Sequence, residues 1–466
     1  MGLPCGVERE GSVPRVGREG GLTFGCGPVF CGGMILQRIP VVSVVMISLV
    51  AAAGAALPVK AVGGGTDWPT YRGPAGDGVT AAELGKAWDE KGPKEVWKVP
   101  ATNGFSSVTV SGGVAATLVT REDEGTPTEF VVVMDAASGK ELWAKPLKLA
   151  KYQGGGDDGT GDNKGGDGPR STPTISGGKV YTYGANLDLA CFDAKTGKVV
   201  WQKDVAKDFG GKNISWQNAT SPLIEGGLVI VSGGGKGAAF LAFDKERGTL
   251  KWKSEDDTIT HATPIAATIH GTRQIIFFTK EGLVAVTPGD GKVLWRQAYK
   301  FNVSTAASPV VFEDVVYCSA GYGVGGGAYK IAKKGSEWTS EELWRTEGNE
   351  VANHWSTPVV RDGKLYGMFQ FKNYGSGPVK CVDIRTGKVL WSKEGFGPGN
   401  VILSGDRLLA LSDKGELVII AAEPDGYKEL ARADVLDGKC WSTPTLADGK
   451  IYARSTKEAA CFETVK

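Results

Sequence analysis

An acidic residue, a glycine four places later and a tryptophan eight places later recur along this 466-residue chain. The copies are Asp135, Gly139 and Trp143; Asp193, Gly197 and Trp201; Asp244, Gly248 and Trp252; and Asp383, Gly387 and Trp391. In a fifth, Thr287, Gly291 and Trp295, threonine stands where the acid would be. Self-similarity at a spacing of a few tens of residues marks a repeat architecture, in which each small unit buries its faces only against its neighbours. A fold built on one unrepeated core does not fit such a chain.

What precedes each phrase defines the unit. Thr172-Pro173, Ser221-Pro222, Thr263-Pro264, Ser308-Pro309, Thr357-Pro358 and Thr443-Pro444 each open a run of alternating apolar residues. Proline is tolerated at the first residue of a strand. Gly177-Gly178, Gly226-Gly227, Asp362-Gly363 and Asp448-Gly449 follow as two-residue hairpin signals, leading into β-rich runs such as 179–183 and 364–368. A third strand runs into the acidic residue, the glycine turns the chain, and a fourth strand ends at the tryptophan. Four short strands joined by tight turns make a twisted antiparallel sheet, and radial stacking of such sheets is the β-propeller solution. The tryptophan then anchors neighbouring blades, its indole N–H seeking an acceptor at the edge.

Openings near Phe105, Ser171, Thr220, Ala262, Ala307, Ser356, Asn400 and Ser442 predict eight blades. The last unit, 441–466, has three strands only, while 95–99 reads as a lone fourth strand. The predicted fold is all-β: an eight-bladed β-propeller of four-stranded antiparallel blades, closed into a ring by that N-terminal strand, which removes the open edges.

Length alone suggests several domains, but repeats grow by accretion, and 95–466 is read as one propeller. Formal net charge is +1 with the charges dispersed, so no basic stripe points to nucleic acid. Residues 62–94 are read as a strap on the propeller. Before them, 34–61 begins at Met34 and carries Arg38, an apolar run over 41–57 and small residues with cleavage points after Ala55 or Ala61, the pattern of an export signal. A membrane anchor through 41–57 is the rival reading, the run being borderline in length for a bilayer. Residues 1–33 show no strand or helix pattern and are read either as a disordered extension or as lying ahead of a true start at Met34. The expected location is periplasmic or secreted, with possible membrane anchoring, and the expected state a monomer.

Of eight cysteines, Cys5, Cys26 and Cys31 precede the cleavage points. Cys191, Cys381 and Cys461 stand two places before the acidic position, where other units carry Val133, Ala242 and Ala285. All are small, so a buried strand position near the hub is expected rather than a metal or redox role. Cys318 and Cys440 fall elsewhere. Between Gly154 and Gly168, Asp157, Asp158, Asp162, Asn163 and Asp167 offer hard oxygen ligands of the kind Ca²⁺ takes. Their spacing departs from the EF-hand loop, and a solvated insert is expected, so no metal is assigned. The glycines of 321–327 follow a strand without a helix opening behind them and are read as a hairpin connection in the fifth blade, not a phosphate cradle. No repeat tryptophan is followed by aspartate, which argues against the WD-repeat kind of propeller.

The run from Phe192 to Trp201, Phe-Asp-Ala-Lys-Thr-Gly-Lys-Val-Val-Trp, is nearly a copy of the blade signature of pyrroloquinoline-quinone-like propellers, and 95–466 resembles that family. The segment from Asp67 to Pro74, with Asp77-Gly78 after it, is similar to the leader of many secreted members. The resemblance implies one of two classes. Quinone-dependent alcohol and sugar dehydrogenases hold the quinone and Ca²⁺ over the channel, commonly with adjacent cysteines, carboxylate and amide ligands and a catalytic aspartate. This chain has no Cys-Cys pair and no Cys-x-x-Cys-His haem mark. Scaffolds of the BamB type, which help to assemble outer-membrane β-barrel proteins, are eight-bladed, exported and free of cofactor. They are lipid-anchored through a cysteine after the signal, and none lies between Val41 and Val99.

Chemistry needs titratable groups that converge, and the chain has three histidines. His261 lies three places before Pro264 and His354 four before Pro358. With Arg170, Trp216, Gln217, Asn218, Trp355 and Trp441 at comparable positions ahead of a first strand, they are placed to ring one mouth of the channel. Such side chains suit a polar, planar or sugar-like ligand through stacking and hydrogen bonds. Filling of blade junctions is the alternative. No catalytic residue and no cofactor is assigned. The expected function is that of an exported, non-catalytic binding or scaffold propeller with a protein or polysaccharide partner in the cell envelope. The alternative is an alcohol or sugar dehydrogenase using pyrroloquinoline quinone with Ca²⁺.

Overall fold

The computed structural model describes residues 66–464, except 86, 90, 153–167, 304 and 371–374. Their strands sort into eight sheets with a four-stranded antiparallel blade in each, one of which gains a fifth, parallel strand, Val79–Thr80. Blades 1 to 7 are continuous in sequence, over 109–149, 174–204, 223–254, 265–298, 310–346, 359–393 and 400–434. Blade 8 takes three strands from 445–463 and its outermost from Glu95–Pro100, which pairs antiparallel with Glu458–Glu463. The ring is thus closed by the N-terminal strand, in the register Trp97 to Cys461 and Val99 to Ala459. First strands of neighbouring blades meet at the hub from blade 1 to blade 4, from blade 5 to blade 7, and across the seam between blades 8 and 1. The one helix among the described residues, Val205–Phe209, links blades 2 and 3 and is capped by the Asp204 side chain accepting from the Lys207 amide.

The recurring phrase is a docking device shared between blades. In blade 2, Asp193 Oδ1 accepts from the Thr196 amide (2.9 Å) and hydroxyl (2.8 Å), which fixes the turn. These bonds hold the carboxyl below its usual range. Gly197 then sits at φ +66°, and a Cβ there would lie 2.7 Å from the ring of Trp143 in blade 1. The Trp143 indole donates to Ala194 O (2.9 Å), the carbonyl just past the aspartate. The same arrangement joins Trp201 to Lys245 O, Trp252 to Pro288 O, Trp344 to Ile384 O and, across the seam, Trp97 to Ala136 O. Trp295 differs: it donates to Gln274 Oε1 in its own blade (2.6 Å). Blade 5 carries in place of the short turn a long hairpin, Gly325–Lys334 and Glu337–Thr346, that leans on blade 4 through Ser340 and Gln297 (2.6 Å). In blade 7 the tryptophan register is taken by Ala431, opposite Ile419, and Trp88 from the strap shares a core cluster with it.

At the hub the Ser/Thr-Pro steps do more than open strands. The Ser107 amide donates to Thr172 Oγ1 (3.0 Å), Thr172 to Ser221 Oγ (2.9 Å), Ser221 to Thr263 Oγ1 (3.0 Å), Ser308 to Thr357 Oγ1 (2.9 Å) and Thr443 to Ser107 Oγ (2.9 Å). Each hydroxyl satisfies an amide of the preceding blade that has no ladder partner.

Cys191, Cys381 and Cys461 are buried, unbridged and flanked in register by Tyr181 and Trp201, Tyr366 and Trp391, and Tyr452 and Trp97. This corrects the expected hub position: they lie on third strands, beside the outer tryptophan, where a bulky residue would collide with the ring. Burial pushes the Cys191 and Cys461 thiols up to about 12 and Cys381 to about 11, so they are inert near neutral pH. Residues 321–324 do connect two strands of blade 5.

Candidate functional site

The two ends of the channel differ. On the face carrying the two-residue hairpin turns, the strap crosses the hub. The amides of Thr66 and Asp448 each bond the other's side chain at blade 8. Trp68 and Val110 exchange backbone bonds at blade 1 (2.8 and 2.9 Å), and Pro69 O accepts from Ile175 at blade 2 (2.8 Å). Gly78 O accepts from Leu403 (2.8 Å), and Val79–Thr80 runs parallel to the first strand of blade 7. Between these ends the Arg72 guanidinium reaches Thr357 O (2.7 Å) and Pro358 O (2.9 Å) in blade 6.

The opposite face carries the loops that lead into each first strand, and there the residues singled out in the sequence gather in two groups. In the first, Arg170 donates to Trp216 O (2.9 Å) and lies over the Tyr152 ring, 5.1 Å from its centroid. Gln217 bonds Asn186 Oδ1 (3.2 Å). Asn218 is spent on the fold: its Nδ2 donates to the carbonyls of Tyr183, Gly184 and Thr220, and its Oδ1 accepts from Thr220. Trp216 and Gln217 both hold left-handed backbone, φ +72° and +60°, a costly conformation for side chains of this size. His261 lies close by, its imidazole pushed down to about 3 by burial and then by Arg170. It stays neutral at physiological pH and cannot serve there as a proton shuttle.

The second group is an aromatic chain. Phe105 stacks on Trp441 (4.7 Å between centroids, 23°) and Trp441 on Trp355 (4.9 Å, 24°). Trp355 meets His354 edge-on (4.9 Å) and His354 meets Tyr322 (5.1 Å). Tyr322, in the blade 5 loop at φ +59°, is 51% exposed. Backbone bonds connect the groups: His261 donates to Thr305 O (2.9 Å), and Ala307 to His354 O (2.8 Å). Phe105 and Tyr322 were not singled out from sequence. Phe105 marked only a strand opening, and Tyr322 lay among glycines that read as a connection.

Behind the first group lies Glu129, wholly buried, accepting from Tyr152 Oη (2.8 Å) and the Ala185 amide (3.0 Å). Burial, and after it the charge of Asp188, raise its carboxyl to about 7. A quinone intercalated between aromatic rings would need roughly 7 Å between them, twice the contact distance. The stacks at Trp441, at 4.7 and 4.9 Å, are too close to receive it. Among the described residues, no group of three or more His, Cys, Asp or Glu is placed to hold a metal ion. Asp157, Asp158, Asp162, Asn163 and Asp167 lie outside the described residues. No helix among the described residues is long and apolar enough to cross a membrane.

Known proteins place this geometry. BamB of Yersinia pestis is 22% identical over 276 residues, a match that spans 57% of this chain and 66% of that protein, just under two thirds of its length. The crystal structure of BamB from Moraxella catarrhalis has the same fold, with a TM-score of 0.56 at 13% identity over 80% of this chain and 99% of that one. The quinohemoprotein alcohol dehydrogenase ADH IIB of Pseudomonas putida is 29% identical over a shorter stretch, 126 residues, 26% of this chain and 17% of that protein. The family described as outer membrane protein assembly factor BamB matches residues 127–366 and 375–463, blade after blade, and the chain belongs to it.

Proposed function

We propose that this protein is a non-catalytic binding propeller of the cell envelope that takes a protein partner at its loop face, as a scaffold of the BamB type. The observation that carries the reading is the aromatic chain from Phe105 to Tyr322, which ends in a half-exposed tyrosine on strained backbone. Tyrosine and tryptophan with an exposed edge and a fixed body are the side chains that dominate protein interfaces, because they lose little rotamer freedom on binding. Two of the polar mouth residues are spent on the fold: His261 is buried and held neutral, and Asn218 is fully engaged by its own loop. The family supports a partner in outer-membrane protein assembly, since that is what its name describes.

The test uses the chain from residue 62 onward, crosslinked in its own envelope extract and compared with Tyr322→Ala and Trp216→Ala. Retention of an outer-membrane assembly protein, weakened at least tenfold by either substitution, is expected. Retention of polysaccharide instead would change the partner class. The similarity to a quinohemoprotein dehydrogenase supports a second reading, and it is tested by adding pyrroloquinoline quinone and Ca²⁺. A stoichiometric quinone absorbance band with alcohol or sugar oxidation would overturn the scaffold reading.

A further inference from the structure

We propose that residues 66–80 are a releasable plug, which seals the turn-face end of the channel and detaches as a unit while the eight-bladed ring stays closed. The seal has two buried side chains at its centre. Trp68 is fully buried and Arg72 is 1% exposed, its guanidinium bonded to carbonyls of blade 6. The main chain around them pairs with blades 1, 2 and 7 through Val110, Ile175 and Leu403.

Release would leave the ring closed because, although this segment bonds blades 8, 1, 2, 6 and 7, the contacts the blades make with one another do not run through it. The strand that closes the ring, Glu95–Pro100, follows the strap in the chain, and the seam tryptophan Trp97 belongs to it. The hydroxyl relay at the hub uses residues of the blades alone. Residues 66–80 are therefore an added layer, tethered downstream through Ala82, Leu84 and Trp88, which stay packed on blade 7, to the closing strand.

Docking also carries two costs that release relieves. Arg72 is a buried cation with no carboxylate within ion-pair distance among the described residues; it donates to three carbonyls, Thr357, Pro358 and Asp77, while its Nε has no partner. A guanidinium buried without a direct ion pair regains its hydration when it leaves. The residue also holds φ +63°, which a non-glycine side chain adopts at a cost. Burial of Trp68 opposes both. An element held by such a balance opens at a free energy below that of global unfolding. With the plug docked, a ligand reaches the channel from the loop face only; with it released, the channel is open at both ends.

Native-state hydrogen exchange tests this without any partner, so its outcome is separate from the binding role. The amides of Val110, Ile175 and Leu403, which donate to strap carbonyls, are expected to exchange together and at least 100-fold faster than those of the closing strand Glu95–Pro100. Equal protection of the two sets would overturn the proposal. In Gly78→Ala the new Cβ would lie 2.6 Å from Arg72 Nη2 and 2.7 Å from Val359 Cγ1. It is expected to speed exchange at the strap-facing amides at least tenfold, with the closing strand unchanged. Should that variant fail to fold, Arg72→Lys, which keeps the charge but loses the fork, is expected to give the same selective rise. A rise of equal size at both sets, or none, would show the strap to be an inseparable part of the ring.

Discussion

Two glycines in blade 2 separate backbone strain from blade docking. Gly177, in the first hairpin turn, has φ +59° and nothing within 4 Å of a would-be Cβ. Gly197, in the repeat turn, has nearly the same φ, +66°, but a Cβ would meet Trp143 Cδ2 at 2.7 Å and Cε3 at 2.9 Å. Alanine at either site costs about 1–2 kcal/mol for left-handed backbone, offset in both by a similar gain of about 0.4–1 kcal/mol from the stiffer unfolded chain. Only Gly197→Ala also forces a methyl into a filled contact, a cost of about 1–3 kcal/mol. That last figure is the expected difference between the variants, read from urea unfolding followed by far-ultraviolet circular dichroism and tryptophan fluorescence. Adding Trp143→Ala removes the ring, and the packing cost of Gly197→Ala is then expected to vanish, leaving a coupling of about 1–3 kcal/mol in the double-mutant cycle. Equal costs for the two glycines, or no coupling, would refute the claim that the repeat glycine exists to receive the neighbouring tryptophan.

Other substitutions probe the seam, the hub and the buried acid. Trp97→Ala deletes a buried indole on the closing strand and its hydrogen bond to Ala136 O, which keeps the Tyr452 hydroxyl as a donor, so a loss of about 3–5 kcal/mol in urea unfolding is expected. Thr172→Val keeps the shape but strands the Ser107 amide, with an expected loss of about 1–3 kcal/mol by the same assay. Because folding raises the Glu129 carboxyl from 4.5 to about 7, the folded state favours the protonated acid, and this contribution is lost as pH rises through that window. Glu129→Gln is therefore expected to gain on the wild type by about 1.4 kcal/mol per pH unit between those values, with urea midpoints at pH 5 and pH 8 as the check. His261, lowered from 6.5 to about 3, has the opposite sign: neutral in the fold, it contributes stability above 6.5 that is lost as pH falls, and His261→Gln is expected to flatten the acid limb.

How much of this was legible in the sequence depended on how local each contact is. Blade number, strand count and the closing strand follow from turns and alternation within some forty residues, and they could be counted. Trp344 escaped the repeat pattern because the long hairpin of blade 5 destroys the eight-residue spacing, although its indole bonds Ile384 O as the others do. The Ser/Thr-Pro steps were visible as strand openings, yet the purpose of the hydroxyl was not, since its donor lies a blade away. Arg72 fell within the leader-like segment from Asp67 to Pro74, but nothing there marked its role: two of its three acceptors are some 285 residues distant, and no short pattern signals such a contact. At the site, position ahead of a first strand was enough to place the mouth residues on one face. It could not separate Asn218, consumed by its own loop, from Tyr322, which is half exposed.

The division of labour between repeated and unrepeated residues bears on function. Every element of the recurring phrase is used up in assembly: the aspartate caps a turn, the glycine receives a ring, and the tryptophan fills a junction and spends its one donor. A ring built this way carries much the same chemistry at most of its junctions, so it cannot itself distinguish a scaffold from a dehydrogenase, and proteins of both kinds are similar to this chain. What differs must lie on positions without a counterpart in other blades. Here these are the strained pair Trp216 and Gln217, the aromatic chain from Phe105 to Tyr322, and the strap with its buried arginine. The first two lie on one face and the strap on the other. On the proposed reading, selectivity for a partner and access to the channel fall to separate, non-repeating segments, and a substitution in either is expected to change function with little effect on the ring, the reverse of one in the repeat.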